Sequence, residues 1–169
     1  MTPRHSNVSG SLRVEATGCV VHMDGTYATD AVDLWSALTE PERLARWLAQ
    51  VDGELRLGGE FDAHLIDNGE RAVGRVVVCE PPRRLHVTWC TGDDEESVIA
   101  VELVTEGNRT RLVLEERGVP RDQAAGYGAG WQAHAEALGA HLAGVQPPDW
   151  ATRWAELLPV YRDRAEELP

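Results

Sequence analysis

The stretch Asp30-Ala-Val-Asp-Leu-Trp-Ser-Ala-Leu-Thr-Glu-Pro-Glu-Arg-Leu-Ala-Arg-Trp-Leu48 decides the fold. It reads as two short amphipathic helices set back to back and divided at Thr39. Leu34, Trp35 and Leu38 share one face at i, i+1 and i+4, and Leu44, Trp47 and Leu48 share another at i, i+3 and i+4. Thr39 followed three residues later by Glu42 has the form of a capping box, and Pro41 is tolerated in a first turn because its missing N–H has no partner there. Strand-like runs continue to about residue 117, and one long helix carrying Trp131 follows them. This order predicts an α+β domain of the helix-grip kind. A curved antiparallel sheet of six or seven strands wraps a long C-terminal helix, with two short helices after the first strand and an extra C-terminal helix. A sheet that grips a helix leaves space between the two, so binding is the first expectation of function.

Turn chemistry divides the meander. Thr17-Gly18 splits an N-terminal hairpin, Asp67-Asn-Gly69 and Glu106-Gly-Asn108 are turns, and Pro81-Pro82 interrupts a ladder. The acidic run Asp93-Asp-Glu-Glu96 reads as a solvated hairpin tip, since a calcium loop needs alternating ligands and a glycine. Alternation assigns the inner face of the sheet: Phe61, Ala63 and Leu65; Leu85, Val87 and Trp89; Ile99, Val101 and Leu103; Thr110, Leu112 and Leu114. Two places further on, Glu116 falls on that apolar side. It is either a solvated rim residue or a polar group pointing into a pocket mouth.

The long helix is expected over residues 122–143, with Asp122 as N-cap and Gly144 ending it. Tyr127, Trp131, Ala135, Leu138 and Leu142 form its apolar face, flanked by His134. Gly126, Gly128 and Gly130 each cost about 1 kcal/mol relative to alanine in a helix. They imply either a loose end that gates a cavity or close backbone packing against the sheet. Pro147-Pro148 then introduces a separate helix with Asp149 as N-cap and a stripe of Trp150, Trp154, Leu157, Leu158 and Tyr161. So apolar a helix must dock, on its own domain or on a second copy. The organisation expected is a flexible tail over residues 1–10, a domain over 11–145 and a helical extension over 146–169.

Composition narrows the function classes. The net charge of −12 and the pI near 4.8 argue against nucleic acid or an anionic membrane as partner, because phosphate contacts need a basic face. All 16 basic residues are arginine, so neither a Schiff-base lysine nor a P-loop lysine is available. Cys19, Cys79 and Cys90 are widely spaced and read as buried reduced thiols. The first ten residues lack the apolar core of a signal peptide, and no run approaches the 18 apolar residues of a membrane span, so a soluble cytoplasmic protein is expected.

Several pieces in order carry a resemblance: Val32-x-Leu-Trp-Ser-Ala-Leu-Thr39, Pro41-Glu-Arg-Leu-Ala-Arg-Trp47, Leu57-Gly-Gly-Glu-Phe61, Gly74-Arg-Val76, Glu80-Pro-Pro-Arg-Arg-Leu85, Thr88-Trp89, Thr110-Arg-Leu-x-Leu114 and Gly130-Trp131. The chain resembles the SRPBCC (START-like, helix-grip) superfamily, and within it the group named after the activator of the heat-shock-protein-90 ATPase. The resemblance covers roughly residues 20 to 145. It implies the helix-grip fold and leaves the ligand open. Some relatives in antibiotic-producing bacteria look like self-resistance proteins that sequester an apolar product.

No catalytic or metal-binding constellation emerges from spacing. The six histidines include no H-E-x-x-H, no G-x-S-x-G is present, and Gly126-x-Gly128-x-Gly130 lacks the spacing of a dinucleotide loop. No cofactor, metal or catalytic residue is therefore expected. The leading expectation is non-catalytic binding of a small, largely apolar molecule between sheet and long helix. Trp35, Trp47, Phe61, Trp89, Tyr127, Trp131 and Leu138 would line the pocket, with His134 and Glu116 supplying polarity. The alternatives are a co-chaperone-like interaction module and a cyclase- or hydrolase-type enzyme of the same superfamily. The protein is expected as a monomer or homodimer. A closed core would favour the interaction module, and an open apolar cavity would favour ligand binding.

Overall fold

Asp30 fixes the start of the first helix: its carboxylate accepts from the Asp33 N–H at 2.8 Å, completing one of the orphan donors of a helix N-terminus. The computed structural model describes residues 7–92 and 95–169; residues 1–6 and Asp93-Asp94 lie outside the described residues, and with them most of the expected tail and half of the acidic tip. Strands β1 (Val8–Glu15) and β2 (Gly18–Tyr27) form the N-terminal hairpin. Helices α1 (Ala31–Thr39) and α2 (Pro41–Trp47) follow, and then strands β3 (Ala49–Gly53), β4 (Glu60–Leu65), β5 (Arg71–Glu80), β6 (Arg84–Thr91), β7 (Ser97–Glu106) and β8 (Arg109–Val119). A short 3₁₀ turn, Arg121–Gln123, leads into α3 (Ala124–Ala143), and α4 (Trp150–Glu166) closes the described chain.

The eight strands form one antiparallel sheet in the order β1-β2-β8-β7-β6-β5-β4-β3, which is the expected helix-grip arrangement. The strand count exceeds the expected six or seven. Strand β3 follows directly on α2 with the sequence Ala-Gln-Val-Asp-Gly and pairs with β4. Strand β1 begins at Val8, inside the stretch read as a tail.

Two helix starts differ from expectation. Thr39 is the last residue of α1, where its hydroxyl donates back to the Trp35 carbonyl at 2.8 Å, and it does not cap α2; Glu40 is the junction instead, with Pro41 at the first helical position. Asp122 lies within the 3₁₀ turn, and α3 starts at Ala124 without a side-chain cap. The other end of α3 is as expected: Gly144 takes the left-handed conformation, φ 68°, that ends helices at low cost for glycine.

The inner face of the sheet follows the alternation. Phe61, Ala63, Leu85, Trp89, Ile99, Val101, Leu103, Leu112 and Leu114 are all buried in one continuous core with α1, α2 and α3. Helix α4 lies along α3 and reaches β1. The three helix glycines explain how closely. A Cβ at Gly128 would sit 2.4 Å from the Tyr161 ring, and Gly126 and Gly130 face the indoles of Trp154 and Trp150. Close packing is therefore the role of Gly128, but against α4 rather than against the sheet, while Gly126 and Gly130 meet α4 at ordinary contact distance. Gly10 on β1 completes the seat, since a Cβ there would fall 1.9 Å from the Tyr161 hydroxyl. Among the described residues no helix is long and apolar enough to cross a membrane.

Candidate functional site

Between the sheet, the first half of α3 and helix α4 runs a cleft of about 690 Å³. Its floor comes from Trp89 on β6 and Glu116 on β8, and one wall from Tyr127, Trp131 and His134 on α3. The opposite wall is α4, through Trp150, Trp154 and Leu158, and the turn after β4 contributes Asp67. Deeper, beneath α1 and α2, lies an almost wholly apolar void of about 80 Å³ bounded by Leu38, Leu44, Trp47, Phe61 and Ile99. Leu48, Trp89 and Trp131 border both spaces, so these three side chains form the partition between them.

The residues expected to line one pocket are thus divided. Trp89 and Trp131 border both spaces, Glu116, Tyr127 and His134 border the cleft, and Trp47 and Phe61 border the inner void. Trp47 is anchored there by its indole N–H, which donates to the Ala37 carbonyl at 2.9 Å, and Phe61 packs on Trp89 with ring centroids 6.1 Å apart. Trp35 and Leu138 border neither. Trp35 packs half-buried on the outer side of α1, one helical position away from the inward-facing Leu34, and Leu138 is 1% exposed beyond the cleft along α3. Sequence reasoning missed Asp67, which reads as a turn residue. It also assigned the Trp150–Trp154 stripe to docking alone, whereas both indoles face the cleft as well.

Glu116 is a deeply buried carboxyl of the cleft, 2% exposed. The Trp131 Nε1–H donates to its Oε1 at 2.7 Å, and its Oε2 lies 2.7 Å from the Ser97 hydroxyl, which is 3.2 Å from the Trp89 carbonyl. Burial pushes the Glu116 carboxyl above its ordinary value of 4.5, against the lowering effect of its two donors. Ser97 has one proton and two acceptors within reach, Glu116 Oε2 and the Trp89 carbonyl, so a protonated Glu116 would let both bonds be made, with Glu116 donating to Ser97 and Ser97 to Trp89. A carboxyl whose pKa is raised on folding contributes stability that is fully present below its unfolded value and is lost as pH rises through its folded value. Glu116→Gln keeps an acceptor for Trp131 and a donor for Ser97 and has no charge to lose. Denaturant titrations at a series of pH values from 4.5 upward should therefore show a shallower decline for Glu116→Gln than for the wild-type protein. Parallel curves would mean that Glu116 is not held protonated.

His134 is nearly buried, and its Nδ1–H donates to the Trp47 carbonyl at 3.1 Å. Burial lowers its pKa, partly opposed by Asp67 and by the Trp47 carbonyl, so the neutral ring with its lone pair on Nε2 is favoured. That nitrogen is 3.9 Å from Asp67 Oδ2. Its ring packs 5.3 Å from the Trp150 indole, which itself stacks on Trp154 at 6.1 Å. Trp154 is fixed by donation from its Nε1 to the Gly126 carbonyl at 3.0 Å. Among the described residues no three histidine, cysteine or acidic side chains are grouped as metal ligands.

Residues 28–143 match the family model described as "Activator of Hsp90 ATPase homolog 1-like protein". The chain belongs to this family. Its fold is shared over nearly the whole length with the crystal structure of CalU16 from Micromonospora echinospora, which is 26% identical with a TM-score of 0.78, over 97% of this chain and 100% of that one. The protein encoded by gene BPP1335 of Bordetella parapertussis is 28% identical with a TM-score of 0.74, over 97% of this chain and 95% of that one. A heat-shock-protein-90 activator from Plasmodium falciparum, 24% identical over 60% of this chain and 74% of that one, shares the fold at a TM-score of 0.51. No curated protein matches the chain. The two bacterial structures extend past residue 143, so the likeness takes in α4, the far wall of the cleft, as well as the family domain.

Proposed function

We propose that the protein binds a small, largely apolar molecule in the cleft between sheet, α3 and α4, and holds it without transforming it. The observation that carries this reading is the cleft itself. Its volume of about 690 Å³ and its facing of Trp89, Tyr127, Trp131, Trp150 and Trp154 match the size and chemistry of sites that enclose small organic ligands. An interaction module has no need of such a space, which weighs against a purely co-chaperone-like role. The titratable groups with shifted pKa values in the cleft are already engaged with the protein: Glu116 with Trp131 and Ser97, and His134 with the Trp47 carbonyl. That supports sequestration over acid–base catalysis.

A neutral fluorescent probe, Nile red, should bind saturably with one-to-one stoichiometry. Gly126 faces the cleft and has open space, the nearest side-chain atom to an added Cβ being on Trp154 at 3.9 Å. Gly126→Leu should fill the cleft and weaken Nile red at least about tenfold, as expected when several contacts of an apolar ligand are lost. The fold should not suffer, because leucine is favoured over glycine in a helix by roughly 0.5–1 kcal/mol. Unchanged probe affinity in a variant of undiminished stability would remove the cleft as the binding site. A ligand released from the purified protein and recovered chemically altered after incubation would favour the enzyme reading.

A further inference from the structure

One corner of the cleft is polar and incomplete. The Asp67 side chain is 2% exposed, and its Oδ1 has no hydrogen-bond partner. The Trp150 indole N–H is buried and likewise has none. His134 ties the two together: its Nε2 is 3.9 Å from Asp67 Oδ2, too far for a direct hydrogen bond, and its ring lies 5.3 Å from the Trp150 indole. All three residues border the cleft. Buried polar atoms are paired in nearly every native structure, so two orphans on residues that border one cavity mark a place where something is received.

The orphans also state what that group must do. Asp67 Oδ1 offers an acceptor, and Trp150 Nε1–H offers a donor. A hydrocarbon would satisfy neither. An ammonium would serve Asp67 and the His134 lone pair but leave the indole N–H without an acceptor. A ligand carboxylate would bring only acceptors to a corner that already has them. An ether would accept from Trp150 and leave Asp67 unpaired. A hydroxyl does both at once.

We propose that this corner recognises a hydroxyl group on an otherwise apolar ligand, the O–H donating to Asp67 Oδ1 while its oxygen accepts from Trp150 Nε1–H. The inference rests on the binding role proposed above and adds the ligand class. The aromatic walls take the hydrocarbon body, and the Asp67–Trp150 corner fixes its orientation. A water held in the corner is displaced without loss only by a group that reproduces both bonds, which the hydroxyl does.

Two probes with the same ring test it. 2-Naphthol carries the hydroxyl, and 2-methoxynaphthalene replaces its donor with a methyl group. Calorimetric titration of the full chain at neutral pH should give 2-naphthol the tighter binding by about tenfold, the factor for one hydrogen bond to a buried polar group. Asp67→Ala should bring 2-naphthol down to the level of the ether and leave the ether within about twofold of its wild-type value, whereas Trp150→Phe should weaken both probes, because the ether oxygen also accepts from the indole N–H. Equal affinities of the two probes for the wild-type protein, or equal losses of both in Asp67→Ala, would overturn the hydroxyl corner and leave apolar binding standing. If neither probe binds, both readings fall. The wild-type comparison needs no variant, so a misfolded substitution cannot shield the proposal.

Discussion

Ending the chain at Val145, before α4, should lower its denaturation midpoint more than any single substitution elsewhere. The reason is concentrated in Tyr161, which is 0% exposed although it belongs to the last helix of the chain. Its ring fills the space above Gly128, its hydroxyl donates to Gln132 Oε1 at 2.6 Å, and Arg164 beside it donates to the Gly10 carbonyl at 2.6 Å. Burial raises the Tyr161 hydroxyl to about 12, so it stays protonated across the working range. Tyr161→Ala alone should cost about 3–5 kcal/mol, the range for emptying a buried aromatic site that the surroundings cannot close. The truncation loses Leu157 and the two indoles as well, and it exposes the glycine face of α3. Chemical denaturation followed by circular dichroism measures the loss, and light scattering reports whether the bared face drives association. A truncated protein as stable and as monodisperse as the full chain would show that α4 contributes nothing to the domain. A full chain that sizes as a dimer and a truncated form that sizes as a monomer would place α4 at an interface.

Trp131→Ala should be the most damaging single change within the cleft. The indole is 8% exposed, and with Trp89 and Leu48 it separates the cleft from the inner void, so its removal joins spaces of about 690 and 80 Å³. It is also a donor to the buried Glu116. The expected loss is about 3–5 kcal/mol. Trp131→Phe isolates the second contribution: it keeps most of the ring and withdraws the N–H, which should cost about 1–3 kcal/mol for a buried acceptor left short of a donor. Combining Trp131→Phe with Glu116→Leu should recover part of that loss, because neither partner is then polar. Denaturant midpoints of the single and double variants form the cycle that measures the coupling. Purely additive losses would mean that the 2.7 Å contact is energetically idle.

Much of this was legible in the residues. Alternation along β8 put Glu116 on the inner face because side-chain direction in a strand is a matter of parity. Whether that face was rim or interior depended on Trp131, which lies on another element, so periodicity left both readings open. Parity likewise found Phe61 and Trp89, and helical spacing found Tyr127, Trp131 and His134. Trp35 misled because it neighbours Leu34 and Leu38 on a short helix, where one position of rotation separates the void from the outer edge of the core. Asp67 gave no signal: Asp-Asn-Gly is ordinary turn chemistry, and its burial comes from α3 and α4 folding over it. The seat of Tyr161 is hidden for the same reason. Gly10 and Gly128 stand 118 positions apart in number yet serve one ring, and neither glycine alone differs from a flexible one.

The pairing of β2 with β8 has a consequence in time. These strands lie at the centre of the β1-β2-β8-β7 half of the sheet, and their facing residues are remote: His22 meets Glu115 across 93 residues of chain. During synthesis Val21 and Met23, both buried in the finished protein, have no cover from β8 until that strand has been made. A ladder of such long reach must close a large loop before its contacts repay the entropy, and topologies of this kind fold slowly for their size. The β1–β2 hairpin, whose contacts are local, can form at once and hold the edge in register while the rest of the sheet is delivered. Among the described strands the β2–β8 ladder is thus the pairing with the largest loop to close before it can form.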